Sequence, residues 1–359
     1  MEKMKLDKQF LKNYLNSVSP VGFECQLGGQ GVWVEQMKKY SHSVEIDNYG
    51  SAFAMIGNKD SEYKVVIEAH ADEISFLVNY IDKSGYIRVI KNGGSDAQIA
   101  PSMRVNIWGD HGPVSGVFGH PAIHITDRKK EVDMNSIFID VGAKDRKEVA
   151  QMGIKVGSVI TFKDEFMELG KNYYTGRALD NRIGGFMIAE VARLLAEEKK
   201  SLPYKLYVVN AVQEEIGLRG AQMIAQNLKP NVAIITDVCH ETSSPCYTAS
   251  KQGEFIAGNG GVITRAPAVQ NNLRQLIIDV ADKNDIPYQL KASAGSTGTD
   301  TESFAYNNGG TPSALISLPL KYMHTTCETT HKKDVKSVIS LIYETLLNIK
   351  EGHDFRYKL

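Results

Sequence analysis

Histidine and carboxylate side chains stand at the ends of several predicted strands. His70 directly follows the β-rich run Tyr63–Ala69. Glu214 and Glu215 follow a second run, Lys205–Ala211. Three further residues hold comparable positions: Asp180 at the start of a predicted helix, Asp237 at the end of a strand, and His324 after a strand. Because ligands bind outside the carboxyl ends of the strands in open α/β sheets, we expect these side chains to converge on one edge.

Two imidazoles and several carboxylates form a donor set that suits divalent metal ions. Zinc, cobalt and manganese accept imidazole nitrogen and carboxylate oxygen as ligands. One catalytic ion that keeps a coordination position open for water or substrate would not need so many ligands. The same residues suit two ions that share a bridging carboxylate. A second ion would stabilise both the attacking and the developing oxygen during a hydrolysis. The pattern therefore predicts a two-metal hydrolytic site.

Each of these pairs has a plainer interpretation when it is taken alone. A His-x-Asp sequence is more often a polar pair in the core or at the surface, and Glu-Glu is usually a solvated pair on a helix. Here Glu214-Glu215 stands between the apolar run Val208–Val212 and Ile216, so at least one carboxylate should be partly buried. A buried carboxylate is costly without a cation nearby. The combination therefore favours a metal site over unrelated polar pairs.

The pattern of predicted secondary structure differs between two parts of the chain. Residues 74–165 contain short β-rich runs separated by turn residues, which is typical of a small β-barrel or sandwich. The segments 1–73 and 166–359 alternate strands with longer helices, and the helix predicted at 332–349 has a clear apolar stripe. We therefore predict a three-layer α/β/α catalytic domain, formed by 1–73 and 166–359, with an inserted β-barrel-like domain at 74–165.

Composition and charge exclude several classes of function. The 359 residues carry a formal net charge of −1, so no electrostatic footprint for nucleic acid or an anionic membrane is present. The charged start resembles no secretory signal, and no apolar run approaches the roughly 20 residues that cross a bilayer. The four cysteines are scattered, which favours buried thiols in a reducing, cytoplasmic compartment over a disulfide framework. Motifs for zincins, serine hydrolases and nucleotide binding are missing from the sequence.

Several short motifs, in one order from residue 69 to residue 328, resemble those of a known family. They are Ala69-His-Ala-Asp-Glu73, Gly176-Arg-Ala-Leu-Asp-Asn-Arg182, Val212-Gln-Glu-Glu-Ile-Gly-Leu-Arg-Gly220, Thr236-Asp-Val238, Gly298-Thr-Asp300 and Tyr322-Met-His-Thr-Thr-Cys-Glu328. The sequence resembles the glutamyl and deblocking aminopeptidases, dinuclear metallopeptidases that form tetrahedral particles and are sometimes labelled endoglucanases. The gap from His70 to Asp180 (180 − 70 = 110 residues) is where this family inserts its lid and dimerisation domain.

The resemblance implies a role for each matching residue. One metal ion would be held by His70, Asp180 and Asp237. The other would be held by Asp180, Glu215 and His324, so that Asp180 bridges the two. Glu214 would be the general base that takes a proton from a metal-bridging water, and Asp72 would orient the imidazole of His70. In this family the peptide bond between Asp180 and Asn181 is often cis.

The same resemblance implies the substrates and the assembly. The substrates would be short peptides with a free amino terminus, in a pocket shaped partly by Gly298, Thr299 and Asp300. The protein would be a homo-oligomer, either a dimer or a tetrahedral dodecamer. Each subunit would bind two divalent metal ions, with zinc favoured over cobalt or manganese. The sequence departs from the family pattern at Ser75, at Lys321 and in the stretch 239–245, which leaves the preferred N-terminal residue open.

Three other functions compete with an aminopeptidase. The first is a metal-dependent deacylase of N-acylated amino acids. The second is an endoglucanase-type glycan hydrolase, although glycosidases use two carboxylates and usually no catalytic metal. The third is a non-catalytic binding protein, which the complete set of predicted ligands disfavours. His240 could contact substrate, whereas His120 and His124 are expected to be structural or surface groups.

Overall fold

The computed structural model describes residues 4–125 and 131–358. Within those ranges the strands are β1 (Ser43–Ile46), β2 (Ala52–Gly57), β3 (Lys64–His70), β4 (Ser75–Ile81), β5 (Ile87–Asn92), β6 (Arg104–Gly109), β7 (Gly112–Phe118), β8 (Ile139–Asp140), β9 (Val159–Phe162), β10 (Met167–Leu169), β11 (Tyr173–Gly176), β12 (Lys205–Ala211), β13 (Val232–His240), β14 (Gly261–Arg265), β15 (Tyr288–Ala292), β16 (Ser313–Lys321) and β17 (Glu328–His331). The helices are α1 (Lys8–Asn16), α2 (Gly29–Met37), α3 (Arg146–Gln151), α4 (Leu179–Glu197), α5 (Arg219–Leu228), α6 (Ala249–Gln252), α7 (Asn271–Lys283), α8 (Thr301–Ala305) and α9 (Lys332–Asn348), and a 3₁₀ turn covers Ala97–Ile99.

The larger sheet has four parallel strands at its centre. Its order is β1-β2-β12-β3-β13-β16-β17-β11-β10, and β14 pairs with β15 and β16 beside this path. The strands β12, β3, β13 and β16 run parallel to one another, so their carboxyl ends lie at the same edge. β1 and β2 form a hairpin and pair antiparallel at the outer edge of the sheet.

Helices cover both faces of this sheet. Successive side chains of β3 alternate between the faces: Val65 and Ile67 join one apolar cluster and Val66 joins the other. The first cluster packs against α1, α2, α4, α7 and α9, and the second against α5 and α8. The predicted three-layer α/β/α arrangement is therefore confirmed.

The inserted β segment closes into a barrel. Its strand order is β4-β5-β8-β7-β6-β9, and the ring is closed. Three phenylalanine rings, Phe76, Phe118 and Phe162, contact one another inside it, with centroid separations of 5.4 to 6.2 Å. The barrel-like fold of this segment is confirmed, while the domain limits 1–73, 74–165 and 166–359 remain a prediction.

Some predicted elements differ from those observed. Asp237 was predicted at the end of a strand, but β13 continues to His240, so Asp237 lies within the strand. The short strands β10, β11, β14, β15 and β17 were not predicted. Among the cysteines only Cys239 is buried, and Cys25, Cys246 and Cys327 are exposed. None of the described helices combines the length and the apolar character needed to cross a membrane.

Candidate metal centre

The imidazole of His70 lies among carboxylates at the end of β3. Its Nε2 is 3.2 Å from Oδ1 of Asp180 and 3.8 Å from Oδ1 of Asp237. Its Nδ1 is 3.5 Å from Oδ1 of Asp72. His70, Asp72 and Asp237 are all buried. One ring nitrogen thus faces the predicted ligand cluster, and the other faces Asp72, the arrangement that fixes the orientation of a metal-binding imidazole.

The second imidazole faces the other oxygen of the same aspartate. Nε2 of His324 is 3.2 Å from Oδ2 of Asp180 and 3.3 Å from Oε1 of Glu215. Ligand bonds of about 2.1 Å in tetrahedral geometry place neighbouring ligand atoms about 3.4 Å apart. The observed separations match that spacing on both sides of Asp180. The residues present therefore fit two divalent ions with Asp180 between them.

Hydrogen bonds to Asp72 hold the acidic pair that follows β12. The backbone N–H of Glu214 donates to Oδ1 of Asp72 at 3.0 Å, and the N–H of Glu215 donates to Oδ2 at 3.1 Å. Oε2 of Glu214 then lies 4.0 Å from Nε2 of His70. Asp72 therefore holds the backbone of the loop after β12 and also lies beside the ring of His70.

The start of α4 is held in place from two sides. Asp180 and Asn181 have non-helical backbone angles, and the peptide bond between them is cis. Nδ2 of Asn181 donates to the carbonyl oxygen of Thr236 on β13 at 2.8 Å. One carboxylate oxygen of Glu328 accepts from the N–H of Asp180 at 2.9 Å, and the other accepts from the N–H of His324 at 2.7 Å. Glu328 thus joins the two backbone segments that carry the predicted bridging ligand and the second imidazole.

Gly94, just after β5 of the barrel segment, packs against the ring of His324. A Cβ at this position would lie 2.5 Å from Nδ1 of His324, a separation too short for non-bonded atoms. Only glycine permits the backbone to approach the imidazole so closely. The inserted domain is therefore in contact with the candidate centre.

The electrostatics of the site without metal indicate that it requires cations. Burial raises the pKa of Asp237 to about 7 and that of Glu214 to about 10. Hydrogen bonds to Asp180 and Glu215 raise the pKa of His324 to about 11. Burial opposes ionisation of Asp180 as well, but the hydrogen bonds from His324 and His70 hold its pKa below the usual value. Buried carboxylates in such numbers are stabilised by bound cations, which would replace the imidazolium protons.

A cavity of about 400 Å³ opens onto these side chains. Gly298 and Thr299 line it, whereas Asp300 does not. Beyond the predicted ligands and Glu214, its wall is formed by Val238, Cys239, His240, Lys291, Thr297, Gly298, Thr299 and Met323. A cavity of this size has the dimensions of a small-ligand site.

Comparison with known proteins identifies the family. The chain matches the M42 glutamyl aminopeptidase family over residues 50–341. It belongs to that family. A curated relative, the lysyl aminopeptidase of Pyrococcus furiosus, is 32% identical over 351 residues, which are 96% of this chain and 98% of the relative. The M42 assignment confirms the resemblance, and with it the chain is a peptidase, a hydrolase of peptide bonds.

Two solved structures of TET peptidases share this fold. The TET aminopeptidase of a marine sediment Thaumarchaeota archaeon matches with a TM-score of 0.89 and 28% identity, over 96% of each chain. The TET1 peptidase of Pyrococcus horikoshii matches with a TM-score of 0.82 and 26% identity, over 94% of this chain and 98% of that one. The latter is described as assembling into a tetrahedron or a large octahedral shell.

A buried acidic pair lies behind the centre of this M42 peptidase. Asp300 is fully buried, and its carboxyl group faces that of Glu68 on β3. Burial raises the pKa of Glu68 to about 8. The pKa of Asp300 is raised well above its ordinary value, mainly by burial and secondly by the negative charge of Glu68. Asp300, which was predicted to help shape the pocket, is thus buried and does not itself line the cavity.

Sequence reasoning did not assign roles to Glu68 or Glu328. Glu68 could have been recognised as a carboxylate within the apolar run that forms β3. Glu328 could have been recognised as the last residue of the motif Tyr322–Glu328. Among the other predicted positions, Cys239 and His240 line the cavity, while Lys321 stacks over the ring of Tyr173.

Proposed function

We propose that this M42 peptidase is an aminopeptidase that removes N-terminal residues from short peptides with two divalent metal ions. The carboxylate of Asp180 carries the proposal, because its two oxygens each lie 3.2 Å from a different imidazole. His70 and Asp237 would complete the site on one side of it. Glu215 and His324 would complete the site on the other.

Zinc is the proposed metal, and cobalt and manganese fit the same nitrogen and carboxylate donors. Two bound divalent ions would lower the pKa of a water molecule and polarise the scissile carbonyl group. The protein's own contribution is to hold five ligands at a buried edge of the sheet.

Glu214 is the proposed general base. Its carboxylate lies at the rim of the ligand cluster, where it can accept a proton from the attacking water and deliver it to the leaving amine. Asp72 is proposed to act through other groups, since it holds the backbone of Glu214 and faces the ring of His70. The free amino group of the substrate would lie next to the metal ions. The side chain of its N-terminal residue would contact the cavity wall near Gly298 and Thr299.

The names of the relatives support an aminopeptidase but disagree on the preferred residue. The family is described as glutamyl, and the Pyrococcus furiosus relative as lysyl. We further propose a homo-oligomer, a dimer or a tetrahedral dodecamer, since the TET1 peptidase forms closed shells. A cytoplasmic location and the absence of nucleic-acid and membrane partners stay predictions from the sequence.

Metal removal and restoration tests the proposed function. After treatment with a chelator, the protein should lose hydrolysis of aminoacyl anilides and regain it with zinc, cobalt or manganese, because the carboxylate cluster requires cations. An N-acetylated anilide should remain intact under all conditions. Metal-restored cleavage of the acetylated substrate would favour a deacylase. Activity that survives complete metal removal would contradict the two-metal mechanism, and no activity with any metal would contradict an aminopeptidase.

Glu328→Gln should lower zinc affinity by about 10- to 100-fold, the range found for groups that orient metal ligands. The amide keeps one acceptor oxygen, so one of the two N–H groups held by Glu328, that of Asp180 or that of His324, loses its acceptor. Competition with a chromophoric chelator measures the affinity. The exposed Glu62 offers a matched control, Glu62→Gln, whose affinity should equal that of the wild type. Unchanged zinc affinity in Glu328→Gln would show that Glu328 does not position the ligands.

A further inference from the structure

A second cavity, of about 540 Å³, lies beside the first turns of α9, and we call it the lysine cavity. Five of the side chains that line it are lysines: Lys5, Lys8, Lys332, Lys333 and Lys336. The other three are Met4, Leu6 and Tyr174. The lysine cavity shares no lining residue with the cavity at the candidate metal centre. Its volume is that of a small-ligand site.

A single carboxylate serves two of these five lysines. Nζ of Lys8 lies 2.9 Å from Oε1 of Glu168, and Nζ of Lys332 lies 2.5 Å from its Oε2. Among the described residues, no carboxylate oxygen lies within 4.0 Å of the other three ammonium groups, those of Lys5, Lys333 and Lys336. The formal charge of −1 for the whole chain therefore conceals a local excess of positive charge.

The position of three lysines on α9 adds to this excess. Lys332, Lys333 and Lys336 stand in the first turns of a 17-residue helix, where the helix dipole disfavours cations. Lys332 and Lys336 are four residues apart, so their like charges repel each other on one face of the helix. The acidic residue of the first turn, Asp334, accepts two backbone N–H groups at 2.7 Å each. Its carboxylate is thus engaged away from the ammonium groups.

The positive charge of the lysine cavity also acts on a neighbouring imidazole. Burial is the main cause that lowers the pKa of His331, and the charge of Lys333 is the next. Lys332 and Lys336 are only partly exposed, so water screens their charges incompletely. A bound anion would relieve the repulsion among these groups through charge-assisted hydrogen bonds.

The remaining wall of the lysine cavity is apolar. Met4 and Leu6 are partly buried and pack against the larger apolar cluster of the α/β/α domain. Tyr174 is buried, and the centroid of its ring lies 5.1 Å from Nζ of Lys332. A ligand that fills this cavity therefore needs an apolar part as well as negative charge. The enclosed shape favours a small molecule over a polymer.

We propose that the lysine cavity binds a small organic phosphate of the nucleotide class. The phosphate groups lie among the ammonium groups of Lys5, Lys333 and Lys336, since lysine binds phosphate as a point charge. The apolar part of the ligand contacts Met4 and Leu6. This binding site is separate from the candidate metal centre, and it goes beyond the proposed aminopeptidase function.

Calorimetry with adenosine bisphosphate, which carries single phosphates on two different ribose hydroxyls, tests the proposal on the full-length, zinc-loaded protein. Separated phosphates compete for zinc less than a triphosphate chain does. The bisphosphate should bind at one site per subunit, at least about tenfold more tightly than adenosine or inorganic phosphate. Adenosine lacks the charges, and inorganic phosphate lacks the apolar part. The affinity for the bisphosphate should fall as the salt concentration rises.

Substitution of two lysines locates the bound phosphate. Lys333→Met combined with Lys336→Met should weaken bisphosphate binding by about 10- to 100-fold, as expected for lost hydrogen bonds between charged groups. The same two positions changed to arginine keep the charge and should keep the binding. The exposed pair Lys59→Met with Lys283→Met removes equal charge elsewhere and should leave the affinity unchanged. Anilide turnover without added phosphate should be the same in all of these variants, because none of the substituted residues lines the metal cavity.

Four results would overturn the proposal. The first is no binding of the bisphosphate by the wild-type protein. The second is wild-type affinity in the variant with Lys333→Met and Lys336→Met, which would place the phosphate elsewhere, for example at the zinc ions. The third is an equal loss in the surface control, which would show attraction by net charge alone. The fourth is equal affinity for inorganic phosphate, which would refute the apolar contact. Binding is measured without a peptide substrate, so none of these results bears on the proposed aminopeptidase function.

Discussion

Glu214→Gln is expected to lower kcat by about 10³-fold, within the range that a general base contributes. Glutamine has the shape of glutamate but neither accepts nor delivers a proton at neutral pH. Glu214 belongs to a third candidate group, with His70 and Glu215, but not to the two groups that contain Asp180, namely His70 with Asp237 and Glu215 with His324. The variant should therefore still bind two zinc ions. Steady-state turnover of an aminoacyl anilide and elemental analysis of the dialysed protein measure the two quantities.

The neighbouring residue provides the contrast for this experiment. Glu215→Gln replaces a predicted ligand whose Oε1 is 3.3 Å from Nε2 of His324. It should lose both metal and turnover, whereas Glu214→Gln should lose turnover alone. Wild-type turnover in Glu214→Gln would contradict its role as base. Loss of metal from that variant would instead place Glu214 among the ligands, close to His70 as the structure has it.

Asp180→Ala should reduce turnover by about 10⁴-fold, because it removes both oxygens that face the imidazoles and with them several kcal/mol of metal-dependent stabilisation. The bound zinc should fall from two ions to one or none per subunit. The exposed Asp60→Ala, which removes a carboxylate from the surface, should leave both values unchanged. Elemental analysis after dialysis and anilide hydrolysis provide the readings. Retention of two ions with wild-type turnover would refute the bridging role.

Local sequence patterns predicted the elements that carry the site. The run at Lys205–Ala211 forms β12 with those bounds, and the helix predicted at 332–349 forms α9. Apolar periodicity reports burial of each element against its neighbours, so it is readable without knowledge of those neighbours. The order of the motifs then indicated the family and the barrel insertion.

Short polar strands were beyond this kind of prediction. β17 reads Glu-Thr-Thr-His, without an apolar pattern, yet all four residues are buried because β11 and β16 pair with it on either side. Strand formation here depends on partners distant in the sequence.

Residue types and their order along the chain identified an M42 peptidase and the acidic and imidazole groups that meet in it. The tertiary structure decided which oxygen faces which nitrogen, placing Asp180 between two imidazoles and Asp300 behind the pocket against Glu68. It also showed that Glu328 holds two segments together. Distances across strand ends depend on which strands are neighbours and how their loops are hydrogen-bonded, and neither property is a periodic feature of the local sequence.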